Sequence, residues 1–478
     1  MSNLNDLTIK EVKEGLARSA FSVTELVRTC LSRIENTDGQ LHAFLTTEPE
    51  NALASAAACD SNLSKIGKDL LNEYPLFGIP LSLKDLFTTK DLRTTAGSKI
   101  IENYIPPYDA TVTAKLKTAG AIIIGKTNED AWGHGSSGEN TDYTPTKNPY
   151  DLNRVPGGSS SGAAASVAAG QCLAATGTDT GSSVRLPAAF CDLVGLKPTY
   201  GRVSRYGIIP MASSFDTIGH LTRTVYDNAL MLGVTAGVDP LDATTVAKTV
   251  PDYTKDIAAG VKGKKIGIPK EYFVSGIETD ITEKTNQAIE VFKKLGAKIT
   301  EISLPHTKYA MACYYILVPS EVSSNLARFD GIRFGLGRET FGPEAKRRIM
   351  LGTYTLSSGY YDAYYLKAAK VRTKIIADFE TAFSEVDLIL APSSPGLPFK
   401  LGEKTADPLQ MYLSDVFMCP ANLAGIPSLN VPAGFSGDLP VGFQLMGPQF
   451  AEERLYQAAY AFEQATGYYK RRPKIWES

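Results

Sequence analysis

Between Gly157 and Gly170 the chain reads GGSSSGAAASVAAG, and the same poverty of side chain persists to Gly181. Residues this small cannot fill an ordinary core, so the backbone of this stretch must approach something closely. The run divides into two parts. Pro156–Gly162 is a glycine and serine loop leading into a small-residue helix. Thr178–Ser183 is a tight turn that sets hydroxyls ahead of Arg185 and Pro187. Taken singly, each part also fits a plain structural element: a flexible helix entry, and a turn with a capping serine.

The rest of the chain supplies a frame for this run. Ile9, Val12 and Leu16 recur at helical spacing, and Ser22-Val-Thr-Glu25 forms a capping box ahead of Val23, Leu26, Val27, Cys30, Leu31 and Ile34, so two packed helices open the fold. Short apolar or alternating runs predict strands at Ile79–Phe87, Ala121–Gly125, Lys265–Pro269, Ala297–Glu301, Leu388–Ala391, Ser428–Pro432 and Val441–Met446. A helix is expected over Asp280–Leu295, with Ala288, Val291, Phe292 and Leu295 on one face and Gly296 as its stop. This alternation predicts an α/β sheet covered by helices. No long linker or repeat divides the 478 residues, so a single large domain, 1–478, is expected, with a helical segment to about residue 70 packed on it.

Charge and rare residues narrow the chemistry. Lys plus Arg number 49 against 51 Asp plus Glu, a net charge of −2, so no global field draws the chain onto nucleic acid; any RNA is held by a partner. The four histidines and six cysteines are scattered outside metal-ligand spacing, and no metal site is expected. The opening residues lack a signal-peptide profile and no stretch has the ~20 apolar residues of a membrane span, so a soluble, cytoplasmic protein is expected.

Two lysines stand out. Gly120–Thr127 matches the G-x-x-x-x-G-K-[ST] phosphate loop around Lys126, but the Ile triplet inside it reads as strand and Thr111–Ala119 as helix, the reverse of the order such a loop needs. Lys84 ends the Ile79–Phe87 strand, pointing away from the apolar positions. Alone it reads as a solvated charge. Beside two serine-rich turns it reads differently. A serine is a weak nucleophile until a base takes its proton, and with so few histidines the base is a lysine kept neutral by burial, bridged by a second serine. Backbone amides around Thr180, Gly181, Ser182 and Ser183 would then stabilise the oxyanion of a tetrahedral intermediate.

Three ordered segments, GIPLSLKD at 78–85, GGSSSG at 157–162 and DTGSSVRLPA at 179–188, resemble the signature motifs of the amidase signature family, and the similarity spans essentially the whole chain. That resemblance implies one α/β domain, a mixed twisted sheet covered by helices on both faces. It implies Ser183 as the acyl-forming nucleophile, Ser159 as the bridging serine, Lys84 as the base, and a cis peptide bond between Gly158 and Ser159. Further stretches, among them 195–207 and 346–373, resemble the branch of the family that provides glutaminase subunits to tRNA-dependent amidotransferases. By that resemblance Arg348 would pair with the α-carboxylate of glutamine, Asp415 with its α-ammonium, and Tyr314 would line the pocket. No cofactor would be held by this chain. ATP and magnesium would belong to a partner, with subunits B and C completing a heterotrimer that also binds Glu-tRNA(Gln).

Some positions depart from the family pattern. Ser182 and Ser161 stand in place of glycines, Leu186 of a glutamine, Asp192 of a glycine and His134 of a methionine, and Gly335–Lys346 is abbreviated. Ser182 is expected to crowd the oxyanion site and to offer a second candidate nucleophile. A free-standing amidase with the same serines and a different pocket, and a non-catalytic subunit with relic serines, are the competing readings.

Overall fold

A computed structural model describes residues 4–273, 276–333 and 335–477; Met1–Asn3, read above for the absence of a signal, lie outside them. Its frame is one sheet of eleven strands: β1 (Phe44–Thr47), β2 (Pro80–Lys84), β3 (Ile122–Thr127), β4 (Ala174–Asp179), β5 (Val194–Lys197), β6 (Thr217–Thr222), β7 (Lys265–Pro269), β8 (Lys298–Ile302), β9 (Leu388–Pro392), β10 (Ser428–Ser436) and β11 (Leu439–Met446). Their order across the sheet is β1-β3-β2-β4-β6-β5-β10-β11-β9-β7-β8. The sheet is mixed. β2 runs parallel to both β3 and β4, and β7 parallel to β8 and β9, while β4, β6, β5, β10, β11 and β9 pair antiparallel in succession.

Adjacent residues of a strand face opposite sides of the sheet, and β11 shows what covers each side. A Cβ on Gly442 would lie 3.0 Å from Ala189 of the helix Arg185–Phe190. The next residue, Phe443, packs its ring on Phe292 of the helix Thr279–Lys294 and Phe462 of the helix Glu452–Thr466, at centroid distances of 5.9 and 4.9 Å. Helices therefore cover both faces. The two opening helices, Ile9–Ala17 and Val23–Leu41, each begin with a full capping box, at Thr8 and Ser22. The second buries Val23, Leu26, Val27 and Cys30 completely, a face whose aliphatic side chains contribute about 1.5–3 kcal/mol each.

The seven strands read from the sequence are all present, with ends moved by a few residues. β1, β4, β5 and β6 carry no such signal. β4, Ala-Ala-Thr-Gly-Thr-Asp, has neither alternation nor β-branched bulk because the small-residue helix Ser161–Ala168 lies close against it and every residue of both is buried. Within that helix a Cβ on Gly162 would sit 2.2 Å from the Ala43 carbonyl oxygen, which is the close approach the glycine-rich composition implies. Among the described residues no helix is long and apolar enough to cross a membrane, and no cluster of three His, Cys, Asp or Glu side chains is arranged to hold a metal.

Candidate active site

Lys84 is the last residue of β2, a strand flanked by β3 and β4 and buried along its whole length. The solvated lysine that residue type alone suggests is thereby ruled out: this central strand has no wet face. Lys84 Nζ donates to Ser159 Oγ at 2.7 Å and to Thr178 Oγ1 at 3.0 Å, and lies 3.5 Å from Glu129 Oε2. That last contact is Coulombic, since among the described residues neither Glu129 oxygen accepts a hydrogen bond. Burial pulls the Lys84 pKa below the ordinary lysine range against the opposing pull of Glu129 and Asp130, and pushes Glu129 up to about 8. The lysine is thus biased toward the neutral form that a base requires.

Ser159 follows a cis peptide bond to Gly158. Gly158 can only be glycine: a Cβ there would lie 2.0 Å from Asp130 Oδ2. Asp130 in turn accepts from the backbone of Gly138 and Asn140, at 3.0 and 2.9 Å, tying the loop 133–140 to the Ser159 turn. The Ser183 carbonyl accepts from Ser160 N at 3.2 Å, which brings the second serine turn onto the first.

The Thr178–Ser183 turn is anchored beneath by Asp179 and Arg185, both fully buried. Arg185 grips Asp179 through Nε and Nη2 at 3.0 Å each, Asn422 Nδ2 donates to the same carboxylate at 2.9 Å, and Asp179 accepts from Val184 N at 3.1 Å. Burial opposes the Asp179 charge, but Arg185 and Asn422 together outweigh it and hold the carboxyl below its usual range. Among the described residues the N–H groups of Thr180, Gly181, Ser182 and Ser183 have no hydrogen-bond acceptor, so four neighbouring donors remain open to a ligand. Tyr314 closes the turn from one side; a Cβ on Gly181 would lie 2.7 Å from Tyr314 Oη.

Ser182, which the sequence offers as a second candidate nucleophile, is engaged by a carboxylate. Its hydroxyl is turned away and donates to Asp415 Oδ1 at 2.6 Å. Burial pushes Asp415 up to about 7, while Ser182 and the Arg348 charge pull it back. Arg348 is no surface cation of the Lys346-Arg347-Arg348 run: it is 3% exposed, its Nε donates to Glu344 Oε1 at 2.8 Å, and its guanidinium lies 5.5 Å from the Tyr315 ring centroid and 5.9 Å from that of Tyr412. Those two rings stack on each other at 3.9 Å. The structure therefore places Lys84, Ser159, Ser183 and the Thr180–Ser182 turn in one centre, with Arg348, Asp415 and Tyr314 grouped beside it.

Sequence reasoning assigned no role to Glu129, Thr178, the Asp179–Arg185–Asn422 anchor, or the Tyr315, Tyr412 and Glu344 cradle around Arg348. The Asn128-Glu129-Asp130 triplet directly after β3 was the available signal for the first, since three polar residues closing a buried strand are costly unless used.

The Amidase family profile matches residues 25–456. The chain belongs to the amidase family, and it is an amidase signature enzyme. Within the family it is 53% identical, over 99% of its length and 100% of the relative's, to the glutamyl-tRNA(Gln) amidotransferase A subunit of Geobacter metallireducens. The crystal structure of the glutamyl-tRNA(Gln) amidotransferase A subunit from Thermotoga maritima superposes with a TM-score of 0.84 at 42% identity, covering 99% of this chain and 98% of that one. The native peptide amidase from Stenotrophomonas maltophilia superposes equally well, with a TM-score of 0.84, at 30% identity over 98% of this chain and 99% of that one.

Proposed function

We propose that the chain is the glutamine-hydrolysing subunit of a tRNA-dependent amidotransferase, supplying ammonia for conversion of Glu-tRNA(Gln) to Gln-tRNA(Gln). The observation that carries this reading is the 2.7 Å hydrogen bond from a fully buried Lys84 to Ser159, beside a serine turn with four unused N–H donors. The likeness to glutamyl-tRNA(Gln) amidotransferase A subunits over nearly the whole chain points to the substrate.

In this mechanism neutral Lys84 takes the proton of Ser159 as Ser159 takes that of Ser183, and Ser183 Oγ attacks the side-chain amide carbon of glutamine. The oxyanion of the tetrahedral intermediate lies against the N–H groups of Thr180, Gly181, Ser182 and Ser183. The proton returns from Lys84 through Ser159 to the amide nitrogen, the C–N bond breaks, and ammonia leaves a γ-glutamyl ester on Ser183. Water, deprotonated along the same path, releases glutamate. A free amino acid needs one fixed cation and one fixed anion for recognition, and Arg348 and Asp415 provide them for the α-carboxylate and α-ammonium. Activation of the tRNA-bound glutamate by ATP and magnesium falls to partner subunits B and C.

The fold-level likeness to a peptide amidase favours one other reading, a free-standing amidase. Replacing Arg348 by Met separates the two: a glutaminase loses glutamine turnover, whereas an amidase for apolar amides keeps its rate on them.

A further inference from the structure

Against the loop 134–142 lies a cavity of about 320 Å³ whose wall includes His134, Tyr315, Glu344, Arg348, Met411 and Tyr412. Three groups in that wall carry a polar atom without a partner among the described residues: His134, Arg348 and Glu139, whose Oε2 is unpaired while its Oε1 accepts from Gly402 N at 2.6 Å. Both ring nitrogens of the fully buried His134 lack a hydrogen-bond partner among the described residues, and so does Nη1 of Arg348. Other polar groups of the wall are engaged: Glu344 Oε1 accepts from Arg348 Nε at 2.8 Å and from the Tyr412 hydroxyl at 2.9 Å, and Ser136 donates to the Met411 carbonyl at 3.3 Å. A buried polar group without a partner costs free energy, and an imidazole buries two of them where an apolar side chain of similar size would bury none. Such a residue is tolerable where a ligand completes it.

We propose that His134 is a specificity-determining residue for the amino-acid end of the substrate, donating a ring N–H to the same carboxylate that Arg348 holds. This rests on the glutaminase reading above. The ligand chemistry follows from the donors. Arg348 offers a free N–H and a positive charge; burial and that charge keep His134 neutral, with one N–H to give. A carboxylate accepts from Arg348 and from the one N–H of His134, leaving unpaired only the ring nitrogen that accepts, whereas an ammonium is repelled by Arg348 and an apolar group leaves all three nitrogens unpaired. The place of His134 in the chain suits that role. Gly133, one residue before it, lies beside the bridging serine, a Cβ there falling 3.8 Å from Ser159 Oγ. The segment thus runs from the reacting hydroxyls to the carboxylate end of the cavity.

The test uses the full chain with its partner subunits and follows ammonia released from glutamine and from glutamine α-methyl ester, both labelled at the side-chain nitrogen. In His134→Met the KM for glutamine rises about tenfold, the worth of one hydrogen bond to a charged group, with kcat within about twofold, and the KM for the ester stays where the wild type has it. His134→Gln, which keeps an N–H donor, recovers most of the loss. The Tm of His134→Met equals or exceeds that of the wild type, because the unpaired ring nitrogens are gone. An unchanged glutamine KM, an equal rise for both substrates, or a lowered Tm assigns His134 to packing and overturns the inference. A wild-type complex that releases no ammonia from glutamine overturns the glutaminase reading and this inference with it; turnover by the wild type with an unaltered His134→Met overturns the inference alone.

Discussion

Lys84 and Lys126 lie at the ends of neighbouring parallel strands, β2 and β3, both fully buried and each 3.5 Å from a carboxylate oxygen, of Glu129 and Asp85 respectively. Burial lowers the pKa of both. What differs is the chemistry of their acceptors. Lys126 donates to the Phe87 carbonyl and to Thr94 Oγ1, each at 2.7 Å, and its partner Asp85 is itself tied to the backbone and hydroxyl of Thr95. A carbonyl only accepts, so Lys126 must keep donating to it. Lys84 bonds two hydroxyls, of Ser159 and Thr178, and a hydroxyl can reverse its role and donate to a neutral amine. Burial alone therefore does not mark a base. A buried lysine becomes one when its partners can pass a proton, and becomes a structural cross-link when they cannot.

The sharpest way to break this contrast is to remove the groups to which the proposed mechanism gives the reaction. Lys84→Met and Ser183→Ala are each expected to lower kcat for glutamine hydrolysis by about 10⁴-fold or more, as for nucleophile and base knockouts in other serine enzymes, with the far-UV circular dichroism of the wild type retained. Lys126→Met should do the opposite. Leaving Asp85 without its cation is expected to cost about 3–5 kcal/mol of stability in a denaturant titration, while the folded fraction turns over glutamine at the wild-type kcat. A Lys126→Met that stays stable but loses activity would erase the distinction.

Two smaller effects sharpen it. In the proposed mechanism Lys84 acts only when neutral, so kcat/KM is expected to fall as pH drops through its pKa. Glu129 raises that pKa; in Glu129→Gln the pull is gone, and the acid limb of the kcat/KM profile moves to lower pH. In the proposed pocket Asp415 must be ionised to hold the ammonium, and burial has pushed it up to about 7, so KM for glutamine is expected to rise as pH falls below that value. The Ser182 hydroxyl favours the ionised form, and Arg348 does the same while Asp179 opposes it. Ser182→Gly is therefore expected to move the KM limb to higher pH, the smallest change of the set.

The residues of the proposed centre were legible as candidates because the signature carries them locally: Lys84 closes one segment, Ser159 sits in another and Ser183 in a third, and the fold brings the three segments together. The strands with strong apolar or alternating patterns were legible too. β4 was not, because its neighbours demand alanine, glycine and threonine where a strand normally shows bulk. The direction of the Ser182 hydroxyl was also out of reach. Its partner Asp415 lies 233 residues away, and only the fold brings the two within 2.6 Å. The same holds for the Tyr315–Tyr412 stack on Arg348, whose sequence signal is two tyrosines among the 23 of the chain.

The most direct test of the account traps the acyl-enzyme. The full chain, with its partner subunits, is quenched in acid during turnover of glutamine and digested, and the peptides are weighed. The account expects a γ-glutamyl adduct on the peptide containing Ser182 and Ser183, localised by fragmentation to Ser183 and absent from Ser183→Ala. An adduct on Ser182 or Ser159, or ammonia released at the wild-type rate by Ser183→Ala, would contradict it.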